Sequence, residues 1–264
     1  MLCWGTSPGA IVTILLPPRT RIGVAFSPRS WQTNDSEDSK LPDVMSFKRA
    51  GARSVAIPSS ESARDMKPAT AGVDVYFSAD VETDGPIPGP FSMLALALVQ
   101  AGSFDGTRFY PADLTSEPFY AELRPISEQY EAEALAVNGL DRDRLLREGR
   151  DPREVMTEAA DWIRSRSGGG SPVVVAYPLS FDWLWLYWYF VRYSQTGSPF
   201  NHSRCFDVKT AFAVKDRRPI SRSGRNELRR VLGNVERPHT HKAVDDAREQ
   251  AEIFARLFSW KEKD

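Results

Sequence analysis

The sequence predicts an α/β domain in which helices cover the faces of a mixed β-sheet. This prediction depends on two observations. Strand-like segments come first in the chain and later alternate with helix-like segments, which is the order typical of layered α/β domains. The last long segment, residues 242–260, is strongly amphipathic at helical spacing, so one of its faces should pack against another layer.

Four strands are expected in the first half of the domain. Residues 73–82 alternate between apolar and polar side chains, which predicts a strand with one buried face. Residues 92–101 form a nearly continuous apolar run, which is typical of a central strand. The pair Asp105-Gly106 is a hairpin turn signal, so residues 107–110 should return beside that strand, and residues 119–123 form a further strand.

Helices are expected to dominate the second half. Residues 127–139 should be helical, and so should residues 151–166, because Asp151, Pro152 and Glu154 form a helix start. Residues 173–177 are mostly β-branched and predict a strand, as do residues 204–208. The aromatic segment 180–193 and the amphipathic segment 242–260 complete the predicted helices.

The folded domain is expected to span residues 71–264 and to follow a disordered extension of residues 1–70. The extension is rich in Pro, Ser, Thr and Arg and shows no sustained period of either secondary structure. Apolar runs are too short to span a bilayer, and two cysteines are too few for a disulfide framework. The sequence therefore predicts a cytoplasmic protein with no membrane partner.

Two carboxylates share one face of the first predicted strand. Asp80 and Glu82 are two residues apart, so both side chains point to the same side of the sheet. Carboxylates held side by side repel each other unless a cation lies between them, and oxygen ligands suit Mg²⁺ or Mn²⁺. Taken alone, such a pair is also typical of a solvated strand face.

Other candidate residues lie at the starts of two predicted helices. Asp182 lies in the first turn of segment 180–193 among apolar neighbours, where a buried carboxylate needs a partner. His241 precedes the last helix, and an imidazole group titrates near neutrality, so it can take a proton from water. Asp245 and Asp246 follow, and spacing alone does not say which of them faces inward.

Together these residues resemble the three motifs of the DEDDh exonuclease family, which belongs to the ribonuclease H-like superfamily. The similar segments are residues 80–85 and 241–247, with Asp182 between them, and the resemblance covers residues 73–258. It implies a ribonuclease H-like fold with a central mixed five-stranded sheet flanked by helices. It also implies a 3′→5′ exonuclease that releases nucleoside 5′-monophosphates from the 3′ end of single-stranded RNA or DNA.

The resemblance also implies a role for each motif residue. Two Mg²⁺ or Mn²⁺ ions would be held by Asp80, Glu82, Asp182 and Asp246. His241 would take the proton from the attacking water. Thr83, directly after the first motif's Glu82, would contact the terminal nucleotide through its backbone. Asp84 is a departure, because several relatives carry a small or hydroxyl residue there.

A basic stretch precedes the last motif. Residues 215–242 carry nine basic against three acidic residues, and Arg222 and Arg225 are expected to bind substrate phosphates. A solvated loop followed by a helix would give the same pattern.

Two other functions are compatible with these residues: a ribonuclease H-like protein that binds nucleic acid without cleaving it, and a hydrolase of small phosphodiesters. Within the exonuclease interpretation, the sequence favours RNA slightly over DNA, because residues 80–83 are similar to ribonuclease T and no polymerase is attached. Several members of the family are dimers, so a homodimer formed through the aromatic segment is left open.

Overall fold

The computed structural model describes residues 72–233 and 240–260, and the predicted extension of residues 1–70 lies outside this part. The chain begins with four strands, which are β1 (Asp74–Thr83), β2 (Met93–Phe104), β3 (Phe109–Pro111) and β4 (Phe119–Glu122). The elements that follow are, in order, α1 (Ala132–Asn138), α2 (Arg142–Glu148), α3 (Pro152–Ser167), β5 (Ser171–Ala176), α4 (Leu179–Tyr193), β6 (Cys205–Asp207), α5 (Val208–Lys215), α6 (Arg225–Leu232) and α7 (Ala243–Ser259).

Strand β1 lies at the centre of the sheet. It pairs antiparallel with β2 and parallel with β5, and β5 pairs in parallel with β6, so the sheet is mixed as predicted. The other edge of β2 pairs first with β4, at residues 95–98, and then with β3, at residues 102–104. The described sheet therefore holds six strands rather than five, because β3 and β4 share one position beside β2.

Helices cover both faces of this sheet. On one face, α3 and α4 pack against the apolar side of β1, where the rings of Phe77 and Trp162 lie 5.8 Å apart. On the other face, α7 packs with α5 and α6, and Phe254 lies 4.8 Å from Tyr76 of β1. The prediction that β1 buries only one face was wrong, since α7 covers its polar side as well.

Most predicted elements lie within a few residues of the observed ones, but four helices differ from the prediction. The helix expected over residues 127–139 is confined to α1, and α2, α5 and α6 were not predicted. Side-chain caps start two of these short helices: Asp141 accepts a hydrogen bond from the Arg144 N–H at 2.9 Å, and Asp207 accepts one from the Thr210 N–H at 2.6 Å. None of the helices within residues 72–233 and 240–260 combines the length and apolar character needed to cross a membrane.

Candidate active site

The carboxyl ends of β1 and β5 open into a cavity of about 590 Å³, which we call the carboxylate cavity. Its walls come from the end of β1, from α1, from the connection between β5 and α4, and from the starts of α6 and α7. All five residues that the sequence nominated for catalysis line it: Asp80, Glu82, Asp182, His241 and Asp246. The fold therefore brings together residues that lie up to 166 positions apart in the chain.

Three carboxylates form a tight cluster in this cavity. Asp80, Glu82 and Asp246 each offer an oxygen atom, and these atoms all lie within 4.8 Å of one another. Asp182 is also buried, and its Oδ1 accepts a hydrogen bond of 3.2 Å from the Val81 N–H, between the two acidic residues of β1. Charge–charge repulsion from Asp182 reaches both Asp80 and Glu82.

Burial and mutual repulsion shift the titration of these groups. Burial raises the pKa of Asp80 well above its usual range, and the charges of Asp182, Glu82 and Asp246 raise it further. Burial, followed by the charges of Asp246 and Asp182, raises the pKa of Glu82 to about 8. Such a group of oxygen donors is suited to a divalent cation, which would remove the repulsion between them.

Asp246 also fixes the chain ahead of α7. Its two carboxylate oxygens accept hydrogen bonds of 2.8 Å from the Thr240 and His241 N–H groups. His241 has a φ of 55°, a left-handed conformation that histidine tolerates better than most residues. The Asp245 carboxylate, by contrast, accepts a long hydrogen bond of 3.4 Å from the Thr240 hydroxyl and is not part of the cluster. The structure thus places Asp246, rather than Asp245, in the cluster.

Two amides that support the cavity were not predicted from the sequence. The fully buried Gln250 of α7 donates a hydrogen bond of 2.7 Å from Nε2 to Asp80 Oδ1. Asn138 of α1 donates one of 3.0 Å from Nδ2 to the carbonyl of Thr83. Both contacts join residues far apart in the chain, so no local pattern could have revealed them.

Solved structures show the same fold. The nuclease domain of 3′hExo, a DEDDh family member bound to rAMP, has a TM-score of 0.53 and 13% identity, covering 71% of this chain and 92% of that one. Escherichia coli Exonuclease I in complex with a dT13 oligonucleotide has a TM-score of 0.51 and 12% identity, covering 71% of this chain and 41% of that one. The fold is therefore ribonuclease H-like, as predicted.

Sequence comparison identifies the family. No protein-family model matches this chain. The chain is, however, 33% identical over 194 residues to the 3′-5′ DNA exonuclease Cap18 of Escherichia coli, covering 72% of this chain and 95% of that protein. The chain belongs to the DEDDh exonuclease family. It is a 3′-5′ exonuclease, an enzyme that hydrolyses phosphodiester bonds.

Three residues of this exonuclease were expected to bind substrate, and two of them lie in the wall of the carboxylate cavity. Thr83 is buried, and its hydroxyl donates a hydrogen bond of 2.9 Å to the Gly85 carbonyl. Arg225 donates hydrogen bonds of 2.9 Å to Glu249 and to the Tyr177 carbonyl. Arg222 lies in a 3₁₀ turn, Ile220–Arg222, and lines a different cavity, so the structure does not bring it to the carboxylate cluster.

The loop after β1 is anchored by Asp84, the position noted as a departure from several relatives. Its side chain is fully buried, and Oδ2 accepts a hydrogen bond of 3.0 Å from Arg142 Nε. The Asp84 carbonyl accepts another of 2.8 Å from the Glu131 N–H, just ahead of α1. In this exonuclease, Asp84 therefore ties the loop after β1 to the α1 wall of the cavity.

Proposed function

We propose that this enzyme is a metal-dependent 3′→5′ exonuclease that releases nucleoside 5′-monophosphates from the 3′ ends of single-stranded DNA. The observation that supports this most directly is the cluster of Asp80, Glu82 and Asp246 within 4.8 Å, in a cavity that His241 also lines. Asp182 lies beside the cluster, so four carboxylates converge at one end of β1.

The donor set fits divalent cations. Asp80, Glu82, Asp182 and Asp246 would hold one or two Mg²⁺ or Mn²⁺ ions, which supply positive charge that stabilises the attacking and leaving oxygens of an in-line displacement. Gln250 holds the Asp80 carboxylate in place through its amide, and the Val81 N–H holds Asp182. These contacts fix the donor atoms before a substrate binds, which is a requirement for an ordered site.

His241 is the candidate general base. Its side chain is exposed at the cavity wall, while its backbone N–H is held by Asp246. In the proposed reaction, His241 takes a proton from water as the water oxygen bonds to the last phosphorus of the strand. The bond between this phosphorus and the 3′ oxygen of the preceding nucleotide breaks, which leaves a nucleoside 5′-monophosphate and a shortened strand.

The choice of sugar rests on the comparison with Cap18. That relative is named as a DNA exonuclease, which supports DNA as the preferred substrate, whereas residues 80–83 favour RNA. Thr83 would present its backbone to the terminal nucleotide, and Arg225, which lines the same cavity, would attract its phosphate. Arg222 would contact phosphate outside the carboxylate cavity.

The catalytic domain would span residues 71–264, the enzyme would work in the cytoplasm, and a homodimer would use the exposed apolar side chains of α4, such as Leu184, Tyr187 and Val191. Light scattering during size-exclusion chromatography measures the oligomeric state, and a Val191→Lys variant would convert such a dimer into a monomer.

Incubation with 5′-labelled single-stranded DNA and RNA tests the proposed function. With Mg²⁺ or Mn²⁺ we expect a ladder that shortens from the 3′ end, faster on DNA, and no ladder with EDTA or with Asp80→Asn. Persistence of the ladder in EDTA would contradict the metal requirement. Cleavage of bis(p-nitrophenyl) phosphate without shortening of either strand would instead support the alternative function, a hydrolase of small phosphodiesters.

A further inference from the structure

A second concave surface lies beside α5 and α6. Two cavities, of about 440 and 470 Å³, share Arg217 and Arg218 in their walls. Lys215, Arg230 and Trp260 contribute to the first cavity, and Arg222 contributes to the second. We call this surface, defined by these six residues, the basic groove.

The basic groove carries an excess of positive charge. Its walls hold five basic residues against two acidic ones, Asp216 and Glu227. Both acidic side chains pair with Arg218, and Glu227 also pairs with Arg230 at 2.8 Å. The lining therefore contains three more basic than acidic residues, and Arg230 keeps 68% of its side chain exposed. A concave surface with such an excess attracts a polyanion.

An aromatic side chain completes this surface. Trp260 is half-buried, and Lys215 Nζ lies 6.0 Å from the centroid of its ring. Basic side chains that follow a backbone, together with aromatic rings on which bases stack, are the usual features of surfaces that bind single-stranded nucleic acid. The groove thus combines the two kinds of side chain that such a ligand requires.

The backbone at Arg217 also points to a ligand-binding role. Arg217 has a φ of 48° in the turn that ends α5, a left-handed position that glycine usually occupies after a helix. An arginine at such a position costs free energy of about 1 kcal/mol or more relative to glycine. The cost is understandable if its exposed guanidinium group has a function at the rim of the groove.

The groove lies next to the carboxylate cavity. Arg222 of the groove and Arg225 of the carboxylate cavity are three residues apart, so their Cα atoms are at most about 10 Å apart. Between them, the Ser223 carbonyl accepts a hydrogen bond from the hydroxyl of Tyr177, which lines the carboxylate cavity. A strand whose 3′ end enters the carboxylate cavity can therefore reach the groove within a few nucleotides.

We propose that the basic groove binds the phosphodiester backbone of the substrate strand on the 5′ side of the nucleotide that is removed. This proposal rests on the proposed exonuclease function and names the part of the substrate that lies outside the carboxylate cavity. Strands that reach the groove bind more tightly than a dinucleotide, which fills only the carboxylate cavity. The groove changes affinity and leaves the chemical step unaltered.

The test compares two double variants. The groove variant combines Arg217→Gly and Arg230→Ala, and the matched control combines Arg153→Ala and Arg192→Ala. The control removes the same charge from exposed arginines on α3 and α4, across the sheet. Arg217→Gly also relieves the left-handed backbone, so loss of folding does not explain its effect. All proteins are full length. Binding is measured by fluorescence anisotropy, and for this measurement each double variant also carries Asp80→Asn so that the probe is not degraded.

For a single strand of about 16 nucleotides, we expect the groove variant to bind about tenfold more weakly at low salt. The negative slope of log affinity against log salt concentration should become shallower by about 1.4, which is about 0.7 for each lost phosphate contact. In the groove variant that keeps Asp80 and is therefore active, kcat/KM for a dinucleotide should be unchanged. The control pair should leave all three quantities as in the parent.

An unchanged salt slope in the groove variant would overturn the proposal. Equal losses on the dinucleotide and on the long strand would overturn it as well, because the arginines would then act at the carboxylate cavity. If the parent degrades no strand, the proposed function fails, while the anisotropy measurement still decides whether the groove binds nucleic acid.

Discussion

Asp245 and Asp246 are neighbours in the chain with different surroundings, and this makes them a matched pair. Asp246 is 1% exposed and belongs to the carboxylate cluster, whereas Asp245 is partly exposed. We expect Asp246→Asn to lower kcat/KM at least about 100-fold, because it removes a donor from the proposed metal site. Asp245→Asn should stay within about twofold of the parent. Exonuclease assays on labelled DNA measure both, and equal losses would contradict the assignment of Asp246.

His241 can be tested without disturbing its unusual backbone. Asparagine also tolerates the left-handed conformation, and its backbone N–H can still donate a hydrogen bond to Asp246, so His241→Asn should fold normally. We expect kcat to fall by about 10² to 10⁴ while KM changes little, because the side chain is proposed to take a proton and not to bind the strand. A variant with parental kcat would show that another group removes the proton.

The loop after β1 depends on one buried ion pair. Asp84 and Arg142 are 0% and 9% exposed, and their contact of 3.0 Å joins this loop to α2. Asp84→Asn leaves the Arg142 charge buried without its partner, so we expect the free energy of unfolding to fall by about 3–5 kcal/mol. Urea denaturation followed by circular dichroism measures this loss.

A surface ion pair provides the control for that measurement. Arg150 and Glu158 are 41% and 55% exposed and lie 2.6 Å apart. Solvent screens such a pair, so Glu158→Gln should change stability by at most about 1 kcal/mol. Similar losses in the two variants would mean that the Asp84 contact is not a special anchor of the loop.

Side-chain patterns predicted the elements that bury long apolar faces and missed those that do not. Strand β1 and helix α7 were predicted from regular side-chain spacing, β2 and α4 from long apolar or aromatic runs, and α3 from its start signal at residues 151–154. Helix α6 was missed, since it buries only Leu228 and is otherwise rich in arginine and other polar residues. A period cannot be read from a segment with a single buried side chain.

The same limit applies to the candidate site. Asp80 and Glu82 could be nominated because neighbours on one strand face share a side of the sheet. Gln250 and Arg142 could not, because each acts on a residue that lies 170 or 58 positions away. Such contacts are set by the packing of α7 on β1 and of α2 beside the loop, which no local pattern encodes.

The stability of the whole molecule is expected to depend on pH through the carboxylate cavity. In the metal-free protein the pKa of Glu82 is raised from 4.5 to about 8, and that of Asp80 is also raised. A group with a raised pKa in the folded state contributes stability that is fully present below its unfolded pKa and is lost as pH rises through the folded value. Metal-free protein should therefore lose stability between about pH 4.5 and about pH 8.

A divalent cation should reverse this loss. The cation binds the ionised carboxylates of the folded state and not the unfolded chain, so it raises Tm by mass action, and more at pH 8 than at pH 5. Scanning fluorimetry with EDTA or Mn²⁺ across this range measures the difference. Glu82→Gln serves as the control, because it removes a titrating carboxylate and should flatten both the pH dependence and the response to Mn²⁺. A Mn²⁺ shift of the same size at both ends of the range would mean that the cation does not bind at these carboxylates.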